Sequence, residues 1–102
     1  CCLKESNDCL RKCLDIERTI NNPDYRGAIL AALCVNYSFL DAIDSTSVYA
    51  DSLRPISHIN NLYEAVMYES LCRVNLRTGN IDAAQNYCDS IRLVSQLIHQ
   101  LP

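Results

Sequence analysis

The sequence contains few residues that break regular structure and no concentration of positive charge. Its 102 residues include only 2 Gly and 3 Pro, too few for the many tight turns of an all-β fold. The 9 Lys and Arg residues are outnumbered by 12 Asp and Glu residues, the net charge is −3, and no run of Lys or Arg occurs. Nucleic-acid binding requires a basic surface, so we expect no nucleic-acid partner.

Long hydrophobic runs are also missing. The longest uncharged stretch, Gly27–Leu40, has 14 residues, which is too short to span a bilayer and fits a buried helix. We therefore expect no transmembrane segment. Hydrophobic residues make up 49% of the chain and charged residues 21%, which is typical of a folded globular sequence. The length allows a single domain with a modest core.

The sequence lacks the local motifs of common catalysts. It has no Gly-rich phosphate loop and no nucleophile elbow, and neither His58 nor His99 lies near a cysteine in the sequence. The acidic residues are scattered as they are on a solvated helix face. We therefore expect no enzymatic activity and no cofactor.

Cysteine is abundant, with seven residues, an odd number. Several lie inside helical apolar stripes, where a free Cys behaves as a small buried hydrophobe. We expect Cys34 and Cys72 to be buried, reduced and unreactive. This placement of the cysteines argues against a framework of disulfide bonds and favours a reducing, cytoplasmic compartment.

The N-terminal cysteines support two alternatives. Cys1, Cys2, Cys9 and Cys13 could together supply four thiolates for a metal or redox site, since Cys9 and Cys13 are one helical turn apart. The chain would then be a thiol- or metal-responsive sensor. A lipoprotein carries a lipidated Cys at its first position, so a periplasmic or membrane-anchored lipoprotein domain is the other alternative.

Apolar residues recur at helical spacing along the whole chain, which predicts five helices. We expect Asn22 and Asp44 to act as N-caps, Pro55 to end the third helix and Gly79 to adopt a left-handed conformation. The expected helices are Lys4–Ile20, Pro23–Leu40, a short one between Asp44 and Pro55, Asn60–Thr78 and Ile81–Gln100. The side of the first helix expected to face inward carries Leu10, Cys13, Leu14, Glu17 and Ile20.

The chain contains an internal repeat. Residues 22–57 align with residues 60–95 without a gap at an offset of 38 positions, with 11 identities in 36 positions. The identical residues are Asn22, Tyr25, Leu33, Cys34, Ile43, Asp44, Tyr49, Asp51, Ser52, Arg54 and Ser57 and their counterparts 38 positions later. A period in this range predicts stacked helical hairpins that bury one continuous core.

The repeat unit resembles the tetratricopeptide repeat. The resemblance is clearest in residues 60–95, where Cys72 supplies the small residue of helix A, Ala84 the small residue of helix B, and Gly79-Asn80-Ile81 the turn. The first unit departs from the family pattern with Asp41-Ala42-Ile43 at the turn. Other departures are Thr46, the early Pro55, Asn75 in place of an aromatic, and the repeat length of 38.

The resemblance implies an all-α solenoid, a right-handed superhelix of about five antiparallel helices in one domain. Residues 1–21 would be helix B of a partial repeat, residues 22–59 one repeat, and residues 60–102 another with an extended last helix. In that first helix, Cys9, Cys13 and Ile16 would take the places of Ala84, Cys88 and Ile91.

The resemblance also implies a function as a protein-interaction scaffold. Members of the family bind peptides in a groove lined by the A helices, so we expect a protein or peptide partner there. The implied groove residues are Ala28, Ala31, Val35, Ser38 and Phe39 in the first repeat and Val66, Glu69, Arg73, Leu76 and Arg77 in the second. Apolar residues at both ends, such as Leu97 and Ile98, predict a symmetric homodimer or continuation into further repeats.

Overall fold

A computed structural model describes residues 3–99 of the chain. The described part contains α-helices and one short 3₁₀ helix and no β-strand, so the expected all-α fold is confirmed. The helices are α1 (Leu3–Ile20), α2 (Pro23–Phe39), α3 (Ile43–Leu53), α4 (Asn61–Arg77) and α5 (Ile81–His99), with the 3₁₀ helix at Arg54–Ile59. Within this range no helix is long and apolar enough to cross a bilayer.

Two asparagines at equivalent repeat positions begin α2 and α4. The side-chain oxygen of Asn22 accepts hydrogen bonds from the backbone N–H groups two and three residues later, at 3.0 and 3.4 Å. Pro23 follows at the first helical position, where its missing N–H costs nothing. Asn60 accepts a hydrogen bond from the Leu62 N–H at 2.9 Å. Each cap stabilises its helix by about 1 kcal/mol, and the predicted cap at Asn22 is confirmed.

The turns within the two hairpins differ in chemistry. Gly79 has a φ of 88°, the left-handed conformation expected of it, whereas the equivalent Asp41 adopts a φ of 58°. The prediction that Asp44 caps α3 is wrong, because α3 begins at Ile43 and its N-cap is Ala42, which has no side-chain acceptor. Asp44 lies instead in the first turn, where its charge complements the helix dipole. As predicted, α3 ends before Pro55.

The middle of the fold is the pair α2 and α4. These helices contact each other, and α3 packs against both of them, whereas the backbone of α1 approaches only α2 and the backbone of α5 approaches only α4. The core between them contains Leu33, Cys34, Leu53 and Met67, all fully shielded from solvent. The described residues therefore form a chain of packed helices in which each terminal helix has one neighbour.

Stacked tyrosines support both hairpins. Tyr49 of α3 and Tyr87 of α5 occupy the same position in the repeat. Tyr49 stacks on Tyr37 of α2 with the ring centroids 5.5 Å apart, and Tyr87 stacks on Tyr68 of α4 at 6.2 Å. Each hairpin therefore contains one stacked tyrosine pair, but the partners Tyr37 and Tyr68 are not at equivalent positions of the repeat.

The inward face of α1 differs from the expected one. Leu14 and Glu17 are buried, as expected, but Cys13 and Ile20 are exposed. The apolar stripe of α1 is wide enough to contact two neighbouring helices, but the backbone of only one helix, α2, lies close to it. Part of the stripe is therefore exposed to solvent. The burial of Glu17 is possible because Arg26 pairs with its carboxylate, at 3.0 Å.

The contact between α2 and α4 depends on a glycine. A side-chain carbon added at Gly27 would lie 2.6 Å from Cε2 and 2.8 Å from Cδ2 of the Tyr63 ring. The ring is also held by a hydrogen bond from the Tyr63 hydroxyl to the Asp24 carbonyl oxygen, at 3.2 Å. The absence of a side chain at Gly27 therefore allows α4 to approach the N-terminal half of α2.

We predict that Gly27→Leu destabilises the fold by roughly 1–3 kcal/mol, because the new side chain must displace the Tyr63 ring. Chemical denaturation measures the loss. The matched control is the same substitution in a Tyr63→Ala background, where the ring is absent and the added cost should be small. An equal cost in both backgrounds would contradict this account of the helix contact.

Because of Cys34, the stability of the fold should fall as the pH rises in the alkaline range. Its side chain is fully buried, with Sγ 4.0 Å from the Thr46 carbonyl oxygen, and burial raises its pKa from 9.0 to about 12. Above pH 9 the thiol ionises in the unfolded chain but stays protonated in the folded one. We therefore predict a loss of about 1.4 kcal/mol per pH unit from this group as the pH rises above its ordinary pKa.

The measurement is denaturant unfolding between pH 8 and pH 11, compared with Cys34→Ala. Other groups titrate in this range, so only the difference between the two proteins reports on Cys34. The parent should lose stability more steeply than the variant. Parallel pH profiles would show that Cys34 ionises equally in both states.

Candidate functional site

The residues expected to line a groove lie on the neighbouring helices α2 and α4. Val35, Ser38 and Phe39 belong to the last turns of α2, and Arg73 and the residues after it belong to the last turns of α4. The surface that the structure brings together at these two helix ends, called here the C-terminal patch, comprises Phe39, Glu69, Arg73, Leu76 and Arg77.

Arg73 is the centre of the C-terminal patch. Its guanidinium carbon lies 4.1 Å from the centroid of the Phe39 ring, a cation–π arrangement across the two helices. The same group donates hydrogen bonds to the Ser38 hydroxyl at 2.8 Å and to a Glu69 carboxylate oxygen at 2.7 Å. Ser38 is fully buried, so it supports the patch from beneath and offers no surface itself.

A second arginine extends the patch to the end of α4. Arg77 pairs with Asp41 in the turn after α2, with Nε 2.5 Å from the carboxylate oxygen, and this hydrogen bond raises the pKa of Arg77. Leu76 lies between the two arginines in sequence and is 56% exposed, close to the 55% of Phe39. The patch therefore offers two exposed apolar side chains and two oriented guanidinium groups.

The remaining expected groove residues are less accessible, with the exception of Ala28. Val35 and Val66 are half-buried, and Val66 packs against the core. Ala28 is exposed on α2, whereas Ala31 is buried in the core and provides no groove surface. The accessible part of the expected groove is thus its C-terminal half. The sequence does not predict the role of Asp41, because nothing in the turn after α2 indicates that Arg77 of α4 lies opposite it.

The N-terminal cysteines are only partly described. Cys9 and Cys13 are free and exposed on α1, while Cys1 and Cys2 lie outside the described residues. Between residues 3 and 99, no three His, Cys, Asp or Glu side chains gather as metal ligands. A four-thiolate site at this end stays a prediction.

The structure instead brings together a different pair of thiols. Sγ of Cys72 on α4 lies 3.0 Å from Sγ of Cys88 on α5. Cys72 is half-buried rather than buried as expected, and burial, with a smaller contribution from Cys88, raises its pKa to about 11. The apolar spacing within α4 and within α5 gives no signal that these two cysteines meet.

An apolar cleft opens between α1 and α2. It has a volume of about 290 Å³ and is lined by Cys13, Ile16, Glu17, Ile20, Tyr25 and Ile29. The one charged lining residue, Glu17, is already satisfied by Arg26 and by the Asn22 N–H, which donates to the carboxylate at 2.8 Å. The Arg26 hydrogen bond is the main reason that the pKa of Glu17 is lowered. We call this feature the α1–α2 cleft.

Comparisons with protein-family models, with curated proteins and with solved structures found no match to this chain. The resemblance to tetratricopeptide repeats therefore stays a prediction based on the chain's own residues. Its two supports are the internal repeat of 38 positions and the turn at Gly79-Asn80-Ile81. The C-terminal patch, the Cys72–Cys88 pair and the α1–α2 cleft are the features on which the following proposals are based.

Proposed function

We propose that this chain is a protein-interaction module without catalytic activity, and that the C-terminal patch binds a peptide or helix carrying acidic and apolar residues. The observation that carries the proposal is the position of Arg73 over the Phe39 ring beside the exposed Leu76. Aromatic residues and arginine are enriched at protein interfaces, and the exposed leucine beside them adds apolar contact area.

The orientation of Arg73 favours binding. Three contacts, to Phe39, Ser38 and Glu69, hold its guanidinium before any ligand arrives. A side chain that is already ordered loses less conformational entropy on binding. The guanidinium still has N–H donors to offer, so a ligand carboxylate can add a charge-assisted hydrogen bond.

The proposed architecture is a short solenoid of helical hairpins similar to tetratricopeptide repeats. The repeat of 38 positions supports it, as do the contacts of α2 with α4 and of α3 with both. In such an array the patch lies on two successive A helices. A ligand that crosses both helices would contact residues of both repeats. Contacts with several similar units together give a repeat protein its binding specificity.

Leu76→Glu should weaken ligand binding at least about tenfold, because it places a charge in the apolar part of the patch, a loss of about 1.4 kcal/mol. The ligands are peptides selected from a random display library on the immobilised chain, with affinities measured by titration. We expect the selected peptides to combine acidic residues with aromatic or aliphatic ones. Arg77→Glu should reduce binding in the same direction.

Leu93→Glu is the matched control, since Leu93 is 63% exposed on α5, outside the patch, and the substitution is chemically identical. Binding to this variant should stay within about twofold of the parent. Peptides that bind Leu76→Glu and Leu93→Glu equally well would move the binding site off the patch. Arg73 is unsuitable for this test because its replacement also removes contacts within the fold.

A second candidate function is a thiol response that uses Cys72 and Cys88 instead of the N-terminal cysteines. The observation that favours it is the 3.0 Å distance between the two sulfur atoms. With hydrogen peroxide as oxidant, the two thiols lose their hydrogens and form a disulfide, while the peroxide is reduced to two water molecules. The bond would connect α4 to α5.

We predict that peroxide joins Cys72 to Cys88 before it links any other described cysteines, and that the rate rises with pH because the thiolate is the nucleophile. Peptide mapping under non-reducing conditions identifies the bond, and Cys72→Ser is the control. The disulfide would close the loop between Cys72 and Cys88, and closing a loop of this length should stabilise the fold by up to about 3 kcal/mol. Oxidation that leaves Cys72 and Cys88 reduced would exclude this candidate.

A further inference from the structure

The outward face of α1 matches a face that is buried elsewhere in the molecule. At an offset of 37 positions, Cys9, Cys13, Ile16 and Ile20 of α1 correspond to Thr46, Ala50, Leu53 and Ser57. The four later residues are buried, with Thr46, Ala50 and Leu53 fully shielded from solvent. The four residues of α1 are exposed, Ile16 by 61% and Ile20 by 64%. Their spacing of four, three and four places them on one helical stripe.

The beginning of α2 shows the same contrast with α4. Tyr25 and Ile29 correspond to Tyr63 and Met67 at the repeat offset of 38. Met67 is fully buried and Tyr63 rests against Gly27, whereas Tyr25 is 64% exposed and Ile29 lines the α1–α2 cleft. The α1–α2 cleft is thus the counterpart of the surface formed by α3 and α4, which is covered by another helix.

The helix that fills the counterpart is α2 itself. It packs against α3 and α4, and it meets the Tyr63 ring with the glycine at position 27. From this correspondence we propose that the α1–α2 cleft binds one amphipathic α-helix of a partner protein. That helix runs antiparallel to α1, as α2 does to α3, and presents a glycine to Tyr25.

The chemistry of the cleft specifies the occupant further. Ile16, Ile20 and Ile29 require apolar side chains at helical spacing, the usual anchors of a helix bound in a groove. Glu17 is already paired with Arg26, so the floor of the cleft offers no free charge for a basic ligand. The occupant is therefore an apolar-faced helix and not a charged extended peptide.

A second copy of this chain does not fit the cleft through α4. α4 is the other helix of the A type, but α5 packs on it in the way that α3 packs on α2. If α4 of a second copy docked on α1 and α2 in the way that α2 docks on α3 and α4, then α5 of that second copy would overlap α1. The occupant must be a helix whose following segment does not overlap α1. The α1–α2 cleft is separate from the C-terminal patch, so a negative result at the cleft would not contradict the function proposed for the patch.

The test uses α2 as the stand-in for the partner helix. A second copy of residues 22–40, with Cys34→Ala in that copy, is joined to the N-terminus of the whole chain through a flexible Gly/Ser linker of about ten residues. Tethering gives a weak helix a high effective concentration. We expect the labelling rate of Cys13 with a thiol reagent, measured by peptide mapping, to fall at least about tenfold relative to the untethered chain.

Three variants of the tethered chain serve as controls. Gly27→Leu in the added copy alone and Ile16→Lys in the cleft should each restore rapid labelling of Cys13. Leu93→Lys, at a leucine that is as exposed as Ile16 but lies on α5, should leave the protection intact. Labelling of the exposed Cys88 should be the same throughout.

Three results would overturn the proposal. In the first, Cys13 of the tethered chain labels at the untethered rate, and in the second, the Gly27→Leu copy protects Cys13 as well as the parent copy does. The third is an untethered chain that dimerises in light scattering with Cys13 already protected, since the cleft would then be covered by a second copy. Restoration of labelling by both Gly27→Leu and Ile16→Lys is the result that supports a helix seated as α2 is.

Discussion

The packing of α2 against α4 is the interaction on which the described structure depends. The backbone of α1 approaches only α2 and that of α5 approaches only α4, so the α2–α4 pair connects the two terminal helices to each other. The close approach of α2 to α4 requires Gly27, against which the Tyr63 ring lies, and a core of small or slender residues such as Cys34. Because α2, α3 and the 3₁₀ helix all contact α4, we expect the two halves to lose structure together on denaturation.

This arrangement also explains where the candidate sites are found. Helices in the middle have their apolar stripes covered on two sides, whereas α1 and α5 have one neighbour each. Exposed aliphatic residues remain on both terminal helices, among them Ile16 on α1 and Leu97 on α5, and the middle helices also expose some, such as Leu76 on α4. The α1–α2 cleft is the part of this uncovered surface for which the molecule itself supplies a template, since the equivalent surface of α3 and α4 is filled by α2.

Polar contacts have a different function from the apolar ones. Arg26 neutralises the buried Glu17 between α1 and α2, and Arg73 is oriented by three contacts between α2 and α4. A buried charge without its partner would be costly, so these pairs specify how adjacent helices are positioned. The exposed pair of Arg77 with Asp41 is weaker by comparison, because solvent screens it, and a ligand can compete for either residue.

The sequence by itself determined the number of helices, their ends to within one or two residues, and the repeat. Those features are local: asparagine caps, proline and glycine breaks, and apolar spacing act within a few residues. Only the tertiary structure decided that Cys72 meets Cys88, that Arg73 lies over Phe39 and that Cys13 faces outward. Helical periodicity identifies an apolar stripe but not how many neighbours cover it. Pairings between helices depend on approach distances that no single helix encodes.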